Sequence, residues 1–285
     1  MRSTLSPAMS LTQGIVIGTR KAGTTWLYEN FRRDPRISVS EVVKESGFFT
    51  GEVKNLTYDK YQALFDAAAP GQRVEVDSSV CYADAAAELI ERYHPKMRVV
   101  LVFRDPVSFL RSRHVHSLRK GELAQSDPLE ALQRNHWLQR ELDYPAIVAR
   151  FARFERRGTL TILAYEDMIS DPLRFYEVVV QALGIEGHTD FLPDVEPVNV
   201  SRSSRLRVVS AAFSQGAIVA RRLGLHQMVN SLKSTGVHKL FEVRNDNRRT
   251  ANGGASSEEE AFDRAVAERV PASVALHRAL RENTP

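Results

Sequence analysis

The stretch Gly14-Ile-Val-Ile-Gly18-Thr-Arg-Lys-Ala-Gly23-Thr-Thr-Trp-Leu27 decides the fold. Its first five residues form a β-branched run between glycines, the pattern of a short buried strand. Trp26, Leu27, Asn30 and Phe31 then recur near helical spacing, and Asp34-Pro35 stops the helix. The loop between strand and helix holds Gly18 and Gly23, which permit tight turns and close approach of backbone. A strand that enters such a loop and opens a helix turns free N–H groups and the helix dipole towards an anion. Thr24 and Thr25 add hydroxyl donors there, and Lys21 adds a charge. The bland alternative is a strand-to-helix turn that needs glycine only for its own geometry.

Two nucleotide-binding patterns fail on this loop. Gly18 and Gly23 have the glycine spacing of a P-loop, but Thr24 stands where the phosphate-binding Lys belongs, and the Lys is at position 21. The G-x-G-x-x-G fingerprint of dinucleotide folds fails because Thr19-Arg20-Lys21 supplies no second glycine. An ordinary ATPase or dehydrogenase is therefore disfavoured.

A second landmark is Arg98-Val-Val-Leu-Val-Phe103, the strongest strand signal in the chain, ended by Arg104-Asp105-Pro106. Arg104 falls at the carboxyl end of that strand, where open α/β sheets bind ligands, and a guanidinium pairs bidentately with phosphate. Further strands are expected at residues 37–39, 73–76 and 159–163. Helices are expected at 59–68, 83–93, 107–119, 128–155 (interrupted near Tyr144-Pro145), 172–183 and 258–282. Strands alternating with helices predict an α/β fold whose central, mainly parallel sheet is covered on both faces. Residues 188–205 and 245–258 read as loops, the second mobile. No boundary divides the chain, so one domain over 1–285 is expected, with a core at about 14–205 and a C-terminal helical part at about 206–285.

The segment Thr19 to Leu27 closely resembles the 5′-phosphosulfate loop of sulfotransferases that use 3′-phosphoadenosine 5′-phosphosulfate (PAPS), and residues 98–112 resemble that family's 3′-phosphate segment, with Arg104 and Ser112 at the matching positions. Thr161 to Asp167 and Ala182 to Ile185 look like the strand and helix that follow. Lys44-Glu-Ser-Gly-Phe-Phe49 resembles the Lys-Glu-x-x-Phe-Phe element of carbohydrate-type and bacterial members, in which the Glu is the base. The resemblance implies a P-loop-like nucleotide-binding fold and in-line transfer of a sulfuryl group from PAPS to an acceptor hydroxyl, leaving 3′-phosphoadenosine 5′-phosphate (PAP). It implies Glu45 as base and Lys21 at the leaving phosphate. Arg20, Lys21, Ala22, Gly23, Thr24, Thr25 and Trp26 would line the cofactor, with Arg104 and Ser112 on its 3′-phosphate and no metal. The acceptor is a small molecule or glycan: a sugar, a glycolipid or a secondary metabolite. Asp77-Ser-Ser-Val-Cys-Tyr82 departs from the family's Glu-x-Ser/Thr-Pro-x-Tyr, with Val80 in place of Pro and Ser78 where some relatives carry Lys. Cytosolic members use a His in this region, and residues 69–93 hold none, which favours Glu45. The competing readings are a nucleoside-phosphate kinase with a degenerate P-loop and an inactive nucleotide-binding protein.

Composition bounds these readings. With 285 residues, 43% hydrophobic and 26% charged, the chain has ordinary globular composition. Lys and Arg number 39 against 35 Asp and Glu, a net charge of +4 that suits an anionic ligand but not a nucleic-acid coat. The single cysteine, Cys81, rules out an intramolecular disulfide and a Cys-rich zinc site. The N-terminal residues have no apolar signal-peptide core and no run is long enough to span a bilayer, so a cytoplasmic location is expected. His114, His116, His136 and Trp137 are secondary candidates near the site, with helix packing the bland reading of each. Arg202, Arg205 and Arg207 form a basic cluster in a loop, read equally as phosphate contacts or solvated charge. Tyr165, Glu166 and Asp167 read as structural.

Overall fold

The computed structural model describes residues 12–65, 71–195, 202–204, 242–244 and 257–282. Five strands, β1 (Gly14–Val16), β2 (Ile37–Ser38), β3 (Gln72–Val76), β4 (Arg98–Phe103) and β5 (Leu160–Ala164), pair in the order β2-β3-β1-β4-β5. Every pairing among them is parallel, with Gly14 opposite both Val74 and Arg98. The result is an open α/β domain. β1 sits between β3 and β4, so the chain turns to opposite sides of the sheet after it. The loop leaving its carboxyl end therefore lies at the topological switch point, where open sheets take ligands.

Parallel strands buried on both faces need continuous apolar runs, and β4 supplies one: Val99 to Phe103 are all buried. Alternate residues divide between the faces. Val16, Val74, Val76, Val100 and Val102 pack with α1 (Thr24–Phe31) and α10 (Pro172–Ala182) through Trp26, Leu27, Phe31, Phe175, Tyr176 and Val179. Full burial of each large side chain contributes about 1.5–3 kcal/mol. Trp26 meets Tyr176 edge to face at 6.1 Å, and its indole N–H donates to the Asp194 carbonyl at 2.7 Å. From the other parity, Phe103 stacks on Tyr144 of α7 (Tyr144–Arg150) with ring centroids 4.1 Å apart.

The described residues fall into two compact units. The first comprises 12–105, 143–195 and 271–282, and so contains the sheet. The second comprises 106–142 with 202–204, 242–244 and 257–270. It holds α4 (Pro106–Lys120), α5 (Pro128–Arg134), α6 (His136–Leu142), α11 (Ser257–Arg269) and an antiparallel pair, β6 (Arg202–Ser204) with β7 (Glu242–Arg244). Inside it Arg113, buried on α4, makes a two-pronged pair with Glu141 at 2.7 and 3.3 Å and reaches Glu122 at 3.0 Å. Trp137 packs under the same guanidinium at 4.6 Å.

Several elements differ from the sequence expectation. The helix expected over 128–155 with an interruption near Tyr144-Pro145 is broken there, between α6 and α7, and at two further places, giving four short helices, α5, α6, α7 and α8 (Ala152–Glu155). Asn135 bonds back to Ala131 at the end of α5, and Asp143 caps α7 through Ala146, so these two breaks each carry a polar stop. The helix expected over 258–282 breaks before Pro271 into α11 and α12 (Pro271–Glu282); a proline is tolerated in a first turn and not in a helix interior. The expected helix 83–93 is a turn of 3₁₀ helix at Val80–Tyr82 followed by α3 (Ala86–Tyr93). Residues 58–63 form α2, shorter than expected, and Tyr165–Ser170 form α9 directly after β5. Arg202, expected in a loop, lies in a strand of residues 202–204, while residues 66–68, 196–201, 205, 207 and 245–256 lie outside the described residues.

Candidate active site

The loop after β1 is stitched to β4 before it turns. Ile17 N–H donates to the Val100 carbonyl at 2.9 Å and Thr19 N–H to Val102 at 2.7 Å, while the Thr19 hydroxyl donates to the same Val102 oxygen at 2.9 Å. Gly18 has φ +133°, and a Cβ there would lie 2.6 Å from Cys81 Sγ, so no side chain fits. Gly23, at φ +81°, precedes α1 without a side-chain cap, leaving first-turn N–H groups to be met by something other than a capping side chain. Between them Lys21 has φ +63°, the one left-handed non-glycine among the described residues. Such a conformation costs free energy and persists where surroundings hold it. Arg104 supplies a hold, donating from Nη1 to the Lys21 carbonyl at 3.1 Å.

Thus the two sequence landmarks, 83 positions apart, meet at one hydrogen bond. The Arg104 guanidinium also lies over the Tyr165 ring at 4.7 Å. Its Nε is buried and has no hydrogen-bond partner among the described residues. A buried unpaired donor is costly, and an anion such as a phosphate is what that donor set suits. Arg20 takes a similar support, its N–H donating to the Tyr82 hydroxyl at 3.2 Å and its guanidinium 5.3 Å over the same ring.

On the β3 side, Lys44 Nζ donates to Thr24 Oγ1 at 3.3 Å and to Glu45 Oε1 at 2.9 Å. The Ser78 hydroxyl donates to that Glu45 oxygen at 2.7 Å. The Glu45 side chain remains 42% exposed. Partial burial pushes its carboxyl up, but the Lys44 charge and the hydrogen bonds from Ser78 and Lys44 outweigh this and hold it below the ordinary carboxylate value. Two buried acids underlie the loop. Asp77 accepts from the N–H groups of Gly47 at 3.0 Å and Ser79 at 2.9 Å; the Ser46 hydroxyl donates to Glu75. Burial and the neighbouring Asp77 raise Glu75 to about 7. Phe48 and Phe49 anchor the loop from below, Phe48 stacking on Tyr61 at 4.6 Å.

Among the sequence candidates, Lys21, Gly23, Thr24, Thr25, Glu45 and Arg104 all lie in the first unit around the carboxyl ends of β1, β3 and β4. Ala22 and Trp26 are buried, and the Trp26 ring belongs to the core between α1 and α10. Ser112 is half-buried on α4, in the second unit. His114 is buried there against the Gln125 carbonyl at 2.9 Å, and Trp137 serves Arg113. Cys81 is fully buried. Sequence reading gave Glu166 a structural role without naming its partner, and passed over Ser78 as a hydrogen-bond partner of Glu45 and Tyr144 beside Arg104. A charged residue inside the apolar run Val74-Glu75-Val76 was the available signal for the buried acids. No group of three or more metal-ligating side chains occurs among the described residues. None of their helices is long and apolar enough to cross a membrane.

Residues 11–196 match the family described as a sulfotransferase domain. Among solved structures, a sulfotransferase from Alicyclobacillus acidocaldarius superposes with a TM-score of 0.57 at 20% identity, covering 77% of this chain and 96% of that one. This likeness bears on the fold. Mouse sulfotransferase SULT7A1, solved complexed with PAP, aligns at 16% identity and a TM-score of 0.46, over 96% of this chain and 90% of its own. No curated protein sequence matches the chain.

Proposed function

The chain belongs to the sulfotransferase family, and on that premise we propose that it transfers a sulfuryl group from PAPS to the hydroxyl of a small-molecule or glycan acceptor. The observation that carries the reading is the meeting of Arg104 with the Lys21 turn, which brings the two phosphate-type motifs together with a buried guanidinium nitrogen still unsatisfied. PAPS, when bound, supplies the transferable sulfuryl group. The chain supplies the rest. Lys21 faces the negative charge that builds on the leaving phosphate, where a positioned cation is worth most. Gly23, Thr24 and Thr25 offer backbone and hydroxyl donors at the start of α1, with Arg20 and Ala22 completing the loop. Arg104 holds the 3′-phosphate. Ser112 is joined to it by the sequence motif alone, and Trp26 contributes through its place in the first turn of α1.

Glu45 removes the acceptor proton. It is ionised at neutral pH because Lys44 and Ser78 stabilise its charged form, and its partial exposure leaves it within reach of an acceptor. The cations in this scheme are side chains, so it calls for no metal. The whole chain is read as one sulfotransferase domain in the cytoplasm. Titration calorimetry with PAP, with and without EDTA, tests the proposal. PAP should bind equally in both. A preference for ATP with Mg²⁺ over PAP would overturn the reading in favour of a kinase.

A further inference from the structure

The peptide unit that joins Arg104 to Asp105 is held on both of its polar atoms by side chains. Its carbonyl accepts from the Tyr144 hydroxyl at 2.7 Å, and its N–H donates to Glu166 Oε1 at 3.0 Å. β4 has ended at Phe103, so sheet pairing no longer satisfies these groups, and buried backbone polar atoms need partners. Both partners are themselves held by one element, α12. Tyr144 N–H donates to Ser273 Oγ at 3.1 Å, and Glu166 Oε2 pairs with His277 Nε2 at 2.8 Å. Arg281 pairs with Asp167, the next residue along α9. Ser273, His277 and Arg281 are spaced four apart and so form one face of the helix. Ser273 is 3% exposed and His277 8%, unusually low for polar residues on a C-terminal helix. The helix packs on α7 and β5 within the first unit. It lies 75 residues beyond the end of the family match, which closes at residue 196.

We propose that α12 is a positioning strut for the 3′-phosphate end of the nucleotide site, with His277 the positioning residue that fixes Arg104 through Glu166. The inference rests on the reading of Arg104 given above. His277 does not meet the nucleotide; it sets the carboxylate that holds the backbone from which the guanidinium projects. The Tyr165 ring beneath that guanidinium is the neighbour of Glu166, so one helix end, α9, carries both the support and the link to α12.

Calorimetry with PAP and with adenosine 5′-phosphate, which lacks the 3′-phosphate, tests this on the full chain. His277→Ala should weaken PAP about three- to tenfold, less than the loss expected of Arg104→Ala, because it misplaces a charged hydrogen-bond donor rather than removing it. Adenosine 5′-phosphate affinity should stay within about twofold, the scatter of an additive pair. His277→Gln, which keeps an N–H donor for Glu166, should restore PAP binding. Adding His277→Ala to Arg104→Ala should cost nothing further, since the one acts through the other. Thermal unfolding checks that each variant is folded; should His277→Ala fail there, Ser273→Ala, which takes away the acceptor for Tyr144 N–H, should give the same selective loss. Equal weakening of both nucleotides, or full additivity with Arg104→Ala, would overturn the strut and leave α12 a structural helix. If the unmodified protein showed no preference for PAP over adenosine 5′-phosphate, the fault would lie in the reading of Arg104 itself.

Discussion

On the β3 flank of β1 the chain gathers acids, whereas on the β4 flank it gathers a cation and aromatic rings. Glu45, Glu75 and Asp77 are separated by the hydroxyls and N–H groups of Ser46, Gly47, Ser78 and Ser79, each of which spends a donor on a carboxylate oxygen. Arg104 instead rests on Tyr165 and on the carbonyl of Lys21, and Tyr144 secures its own backbone. The contrast teaches how one sheet edge hosts two electrostatic tasks. Donors keep the Glu45 carboxylate ionised on one side. Acceptors and ring faces hold a cation without neutralising it on the other, so that its charge stays available to an anion.

The largest test of this division is catalytic. Glu45→Gln keeps shape but cannot take a proton, so turnover should fall about 10²–10⁴-fold with PAP affinity nearly intact. Lys21→Ala should lower turnover about 10²–10³-fold and weaken PAP as well. Full activity in Glu45→Gln would move the base elsewhere. The second test reads the other flank. Arg104→Ala should weaken PAP by roughly ten- to a hundredfold, as loss of a charge-assisted hydrogen bond requires, and should spare adenosine 5′-phosphate. Equal losses for both would assign Arg104 to the fold.

A third expectation concerns stability. Glu75 is raised from 4.5 to about 7, so on folding it keeps a proton that the unfolded chain gives up above pH 4.5. Stability should therefore fall as pH rises from 4.5 to about 7, and the loss is complete above that. Glu75→Gln should remove this dependence, a difference on the order of a few kcal/mol at pH 8 and little below pH 4.5. Denaturant melts at both pH values would read it; identical pH profiles would mean Glu75 is ionised in the fold. The smallest effect is a displacement in the rate profile. Lys44→Met removes the charge that lowers Glu45. The acid limb, where activity is lost as pH falls through the base's own pKa, should then move to higher pH. An unmoved limb would show that Lys44 does not govern the base.

Much of this was legible from contiguous residues. β1, β4 and the loop of residues 18–24 announce themselves because a buried parallel strand needs an unbroken apolar run and the turn after it needs glycine at two positions. Lys21, Glu45 and Arg104 stand inside short motifs, and each could be named without coordinates. Their supports could not. Ser78 reaches Glu45 across 33 positions and His277 reaches Glu166 across 111, and no periodicity records such partners. The run from Pro128 to Glu155 misled for a different reason. Only Tyr144-Pro145 marks a break in its composition, whereas Asn135 ends α5 by a side-chain bond to the backbone that outcompetes helix continuation.

β1 has only three residues, and both of its neighbours come from later in the chain: Gly14 pairs with Val74 and with Arg98. A strand that short gains little until both partners are present, and closing such long loops must precede any reward. The phosphate-type loop, the most local feature of the sequence, is thus among the most non-local features of the folding reaction. It takes its folded shape only when residues up to Phe103 have been made and paired. A nascent chain that has emerged as far as α1 carries the motif but not the site.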